Sequence, residues 1–166
     1  LDRAGWTWAR DAVLLLYATL VIYVTALVGV LWAAFARGDN DTRLAAWITI
    51  IGVAATQLAW AIGPRWTAFD PGIMLVDAGM VLGYGYVAHR SYRWWPIWMT
   101  AAQASAMLTH LAPLASPDAM LRLYQLSQPA WMFVVLWTIA HGSLRPPRLP
   151  STLSPNMPGA APPSRS

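Results

Sequence analysis

Cysteine, lysine and glutamate are all missing from this chain of 166 residues. Without cysteine there is no disulfide, no thiolate nucleophile and no thiolate metal ligand. Every positive side chain is arginine and every acid is aspartate. Charge of either sign is scarce, at 11% of residues against 57% hydrophobic. It is also confined to short gaps between apolar runs. From Ala12 to Ala36 there is no charged residue over 25 positions, and about 20 apolar residues carry a helix across the hydrocarbon core. A secretory signal has a shorter apolar stretch, about 7–15 residues, so this segment reads as a span.

Several catalytic devices are absent too. The chain has no Gly-x-Ser-x-Gly elbow, Walker A loop, His-Glu-x-x-His helix or Rossmann fingerprint. Gly83-Tyr84-Gly85 lies inside an apolar run and follows no strand, so it cannot cradle a phosphate. With no lysine, there is no retinal Schiff base. The net charge of +4 does not point to nucleic acid, because the arginines stand singly at helix ends and form no basic stripe.

What is present is a series of apolar runs broken by helix signals. The expected fold is an all-α, polytopic transmembrane helix bundle of about five spans, near 12–36, 44–62, 71–88, 96–112 and 119–141. Gly63-Pro64 stops the second run, Asp70-Pro71 caps and opens the third, and Ser116-Pro117-Asp118 opens the fifth. The fifth run holds Arg122, Gln125, Gln128 and Pro129. It reads either as one span kinked at Pro129 or as an interfacial helix followed by a short buried segment. The helical domain is expected over 1–143. Residues 144–166 carry seven of the thirteen prolines with little to bury, and read as a disordered tail.

Five spans put the termini on opposite sides. Arg37, Arg43, Arg90, Arg93, Arg145, Arg148 and Arg165 fall on one side, and Arg3, Arg10, Arg65 and Arg122 on the other. The richer side is cytoplasmic by the positive-inside rule, so the reading is a bacterial inner-membrane protein with a periplasmic N-terminus and a cytoplasmic C-terminus. Tryptophans fall at the same boundaries: Trp6, Trp8, Trp60 and Trp66 at one, Trp32, Trp47, Trp94, Trp95, Trp98 and Trp137 at the other. Trp94, Trp95 and Trp98 are read as interface anchors.

Ionisable groups inside spans are costly, which makes them the first place to look for function. Asp77 lies about two turns beyond Pro71, and His110 one turn before Pro113. On antiparallel helices they reach one depth. Gln57, Gln103 and Gln128 add amides to a polar layer. The stripe Met99, Gln103, Ala106, Met107 and His110 should face the bundle. Gly79 with Gly83, and Ala102 with Ala106, are small-residue pairs expected at helix crossings. The layer reads as a hydrogen-bonded clasp, or as a proton relay, a polar-ligand site or axial ligation of haem or pigment by His110. No cofactor is otherwise indicated.

The stretch from Gly63 to Tyr124 resembles a group of small, uncharacterised bacterial inner-membrane proteins. The likeness lies in Gly63-Pro64 with Trp66, Val76-Asp77, the run Arg90 to Trp98, Thr109-His110-Leu111-Ala112 and Tyr124. Such proteins more often carry an acid where Tyr92 stands. The resemblance implies a four- or five-helix bundle and transfers no catalytic residue. Three functions remain open: a non-catalytic accessory or assembly subunit of a membrane complex, a small proton-coupled or polar-solute transporter using Asp77 and His110, and an intramembrane lipid or quinone enzyme with His110 as base. Expected partners are membrane lipids and other membrane subunits or further copies of the chain.

Overall fold

The computed structural model describes the backbone of residues 3–62, 71–110 and 117–144, and side chains over 13–62 (Leu16 apart), 71–110 and 130–144. Among these residues there are five helices and no strand: α1 Arg3–Arg37, α2 Asn40–Ile62, α3 Pro71–Arg90, α4 Trp95–Thr109 and α5 Pro117–Leu144. Three of them, α1 over Val13–Arg37, α2 and α3, are long and apolar enough to cross a membrane. α4 has 15 residues, or ~22 Å at 1.5 Å per residue, against a hydrocarbon core of about 30 Å. The apolar part of α5, Ala130–Leu144, is of similar length. The tail expected from 144 onward falls, apart from Leu144, outside the described residues.

Several boundaries differ from the sequence expectation. α1 begins nine residues before the apolar run, because nothing between Arg3 and Asp11 breaks a helix. α2 begins at Asn40 rather than Leu44. Asp39 caps it: the Thr42 backbone N–H donates to Asp39 Oδ1 at 2.9 Å, and the Thr42 hydroxyl donates to the same oxygen at 2.7 Å. α4 runs 95–109, not 96–112, and closes in a turn at His110 whose N–H reaches the Met107 carbonyl. α5 is one continuous helix through Pro129.

The helices form a ring in chain order. α2 packs on α3, α3 on α4, α4 on α5, and α5 returns to α1, while α1 and α2 touch more lightly. Side-chain contacts set the registers. Ile48 lies beneath Gly83, and Met80 lies where a Cβ at Gly52 would stand, so α2 and α3 run antiparallel. Trp95 lies against Gly142, which does the same for α4 and α5. Tyr23 meets Phe133 edge-on at 6.1 Å between centroids. The core consists of Ala34, Ala45, Ala46, Met80, Tyr84, Val87, Trp95, Met99, Ala102, Val135 and Ile139. Small residues on α2 let the helices approach, and sulfur-bearing and aromatic side chains fill the space.

Hydroxyls inside the helices bond to their own backbones. Thr49 donates to Ala45, Thr56 to Gly52, Thr100 to Pro96 and Ser143 to Ile139, each at 2.8–2.9 Å. A hydroxyl on a helix packed away from water has the carbonyl one turn back as its nearest acceptor.

Two ion pairs tie the α1–α2 turn to the α3–α4 turn. Arg93 Nη1 meets Asp39 Oδ2 at 2.6 Å and Arg90 Nε meets Asp41 Oδ1 at 3.0 Å. Arg90 also lies over the Tyr86 ring, 5.8 Å from its centroid. Partial burial would raise the Asp39 pKa, but the Thr42 hydrogen bonds and the Arg93 charge outweigh it and hold the carboxyl below its ordinary value. A lowered carboxyl pKa adds stability that is complete above the unfolded value of about 4 and lost as pH falls through the folded value. Asp39→Asn should therefore flatten the acid side of the stability profile below about pH 4, read as unfolding midpoint against pH. An unchanged acid limb in that variant would show that other carboxyls dominate it.

Candidate functional site

The polar layer forms between α3 and α4. Asp77 accepts from Gln103 Nε2 through Oδ1 at 2.9 Å, and its Oδ2 lies 2.8 Å from His110 Nε2. All three are buried: Asp77 is 9% exposed, His110 4% and Gln103 1%. Gln103 and His110 are seven residues apart on α4 and its terminal turn, so two helical turns bring both amide and imidazole to one face. Asp77 meets that face from the antiparallel α3, and each carboxylate oxygen takes one partner.

One atom of the cluster is left over. Gln103 Oε1 is buried and has no hydrogen-bond partner. The amide orientation is fixed by its neighbour, because exchanging oxygen and nitrogen would set an acceptor against the Asp77 carboxylate. The open group is therefore an acceptor beside an acid.

Two turns along α3, Tyr84 Oη lies 2.8 Å from Thr49 Oγ1 on α2. The threonine hydroxyl already donates to the Ala45 carbonyl. Its single proton is thus committed, and Tyr84 must be the donor. This second buried contact was not read from the sequence, where a threonine in an apolar helix signals only a bond to its own backbone. Between the Asp77 cluster and the far end of the bundle lie Met80, Val87, Met99, Val135 and Ile139, all buried.

The other expected site residues are distributed differently. Gln57 is exposed, outside the layer. The buried residues of α2 are Thr42, Ala45, Ala46, Thr49 and Gly52; Gln57 lies beyond the last of them, in the part of α2 where no described residue is buried. Gln128 lies in α5, but its side chain is outside the described residues. Gly79 is exposed, and a Cβ there would meet nothing within 4 Å, whereas one at Gly83 would lie 3.2 Å from Ile48. The two glycines do not act as a crossing pair. Ala102 and Ala106 are both buried.

Trp94 and Trp98 are 77% and 67% exposed, as anchors would be, but Trp95 is 5% exposed. Adjacent residues on a helix point about 100° apart, so the three indoles cannot share one surroundings. Trp95 belongs to the core, with its Nε1 unpartnered.

Chemically, the cluster holds a carboxylate, an imidazole and an amide, and no nucleophile is bonded to it among the described residues. His110 Nε2 is engaged by Asp77, which in this arrangement withdraws that nitrogen from axial ligation of a haem or pigment. Among the described residues no group of three or more His, Cys, Asp or Glu could hold a metal ion.

No protein-family model matches the chain, and neither a curated protein nor a solved structure does.

Proposed function

We propose that this chain is a non-catalytic accessory or assembly subunit of a membrane complex, spanning a bacterial inner membrane five times with its N-terminus outside and its tail in the cytoplasm. The observation that carries the reading is α1. Val13, Leu14, Leu15, Leu20, Val21 and Val28 are all more than half exposed, and none of the apolar window of this helix is buried within the chain. Such a surface needs lipid or another apolar helix against it.

A ring of tryptophans supports the membrane setting. Trp32, Trp47, Trp94, Trp98 and Trp137 are each more than half exposed. All lie at the end where α1, α3 and α5 finish and α2 and α4 begin. Amphipathic indoles favour the headgroup level, and Arg37, Arg43, Arg90 and Arg93 mark the same end as the cytoplasmic one. The turns at this end, 38–39 and 91–94, leave no room for a catalytic domain. The likeness of residues 63–124 to uncharacterised inner-membrane proteins is part of the same proposal.

Two measurements test it. A reporter fused after Arg148 should read cytoplasmic and one before Trp6 periplasmic; the same compartment for both would mean an even number of spans. Purification in mild detergent should bring down one or more membrane proteins in fixed ratio, identified by mass spectrometry. A chain that runs alone as a monomer would end the subunit reading.

The open Gln103 acceptor favours a second reading, a small polar-solute or proton-coupled transporter built on Asp77 and His110. Its test is solute or proton flux in vesicles holding the purified chain.

A further inference from the structure

We infer that the α4–α5 side of the bundle fits a compressed lipid leaflet, thinned by about 8 Å at the end away from the tryptophan ring. This rests on the membrane setting proposed above, and it names the lipid surface that one side of the bundle takes.

Two neighbouring helices show the difference. α3 has 20 residues and α4 has 15, and the short turn 91–94 joins them at the tryptophan end. At 1.5 Å per residue α3 is ~30 Å long, the thickness of the hydrocarbon core, and α4 is ~22 Å. The shortfall falls at the opposite end, and the polar cluster locates it. His110 closes the terminal turn of α4, yet its partner Asp77 lies six residues into α3 from Pro71. α3 therefore continues ~9 Å beyond the level at which α4 stops.

α2 and α5 divide in the same way. Met80 stands against Gly52, so Asp77, three residues back on α3, is level with Ala55 and its neighbour Ala54. From there α2 runs on to Ile62, ~10 Å further, without a charged residue. On the other side Trp95 stands against Gly142, which makes Leu108 level with Pro129 of α5. At that level the sequence of α5 changes character. Residues 130–140 hold one hydroxyl and no charge or amide, whereas 117–129 hold Asp118, Arg122, Gln125, Ser127 and Gln128. α5 turns polar where α4 ends.

A span too short for its bilayer is accommodated by thinning, by snorkelling of flanking side chains or by oligomerisation. Snorkelling is closed to His110, whose imidazole is buried and engaged by Asp77. A leaflet of full thickness would hold the Gln125 and Gln128 positions in hydrocarbon, where unpaired amides are costly. A compressed leaflet brings them to the water boundary.

The chain has no cysteine, so single-cysteine variants report position without background. Leu108→Cys on α4 and Ala54→Cys on α2 replace exposed side chains at nearly one level, Leu108 being the slightly deeper by residue count. Each variant is placed in phosphatidylcholine nanodiscs, which open both membrane faces to a charged, membrane-impermeant maleimide. Leu108→Cys should react at least about tenfold faster than Ala54→Cys, because a thiol in hydrocarbon stays protonated and unreactive. Ala130→Cys, exposed on α5 one residue from the same level, should follow Leu108→Cys. It decides the matter should Leu108→Cys not fold, which circular dichroism reports. Protection of all three would mean a leaflet of full thickness or a partner helix on α4–α5; thinning would then fail and the membrane setting would stand. Fast labelling of all three would overturn both. Faster reaction at Ala54→Cys than at Leu108→Cys would also overturn the thinning.

Discussion

Replacing His110 with alanine should destabilise the bundle by about 3–5 kcal/mol, the range for stranding one member of a buried ion pair. The physical reason is the residue left behind. Asp77 would keep the Gln103 amide at 2.9 Å but lose its partner at 2.8 Å, with its charge held away from water. Asp77→Asn should cost less, about 1–3 kcal/mol, because it removes the charge and leaves neutral groups imperfectly matched. The order of the two variants therefore reports the charge carried by the pair. A neutral hydrogen bond between membrane helices couples by only about 0.6 kcal/mol on average. An ionised pair should exceed that several-fold in a double-variant cycle. The combination Asp77→Asn with His110→Gln should recover most of the loss, since two amides of similar reach can bond to each other. Denaturant unfolding in mild detergent of the unaltered chain, Asp77→Asn, His110→Gln and their combination gives all four corners. If the two single losses simply add, the residues do not act together and the cluster is two independent polar groups.

How far this site could be read in the sequence depends on which coordinate is asked for. Depth was legible. Counting turns from Pro71 and back from Pro113 put Asp77 and His110 at one level, and the heptad spacing put Gln103 on the His110 face. Whether a single residue such as Gln57 is covered by a neighbouring helix was not legible. Nothing in an apolar helix with little amphipathicity says which side faces inward until a neighbour fixes its register, and here that neighbour is Met80 against Gly52. The Tyr84–Thr49 bond was hidden for the same reason. The helix limits show the complementary case. Apolar runs predict where lipid-crossing segments lie, but a helix ends where its cap lies. Asp39 extends α2 by a turn through a polar stretch that read as loop. Starting the second span at Leu44 overlooked that aspartate is as favoured at helix N-caps as in turns.

Trp95 and its neighbours give the other large expected effect. Trp95→Ala should cost about 3–5 kcal/mol, the range for emptying the site of a buried aromatic. Trp98→Ala should cost well under half of that, because its indole is 67% exposed. Trp95→Phe is less informative. Phenylalanine loses volume but also removes the unpartnered indole N–H, whose burial carries a penalty of about 1–3 kcal/mol. The two terms oppose each other, so a small net change fits both a core residue and an interface anchor. Gly142 provides the sharper probe. A Cβ there would stand 2.8 Å from Trp95 Cε2 and 3.0 Å from Cδ2, closer than carbon atoms pack. Gly142→Ala should therefore push the indole out of its place, at about 1–3 kcal/mol for overpacking. That loss offsets the gain of roughly 1 kcal/mol that alanine normally has over glycine in a helix. Gly29 supplies the control, since a Cβ at that position meets nothing within 4 Å. Gly29→Ala should be neutral or stabilising while Gly142→Ala destabilises. Two glycine substitutions of the same sign and size would mean that Trp95 does not rest on α5, and the α4–α5 register would have to be redrawn.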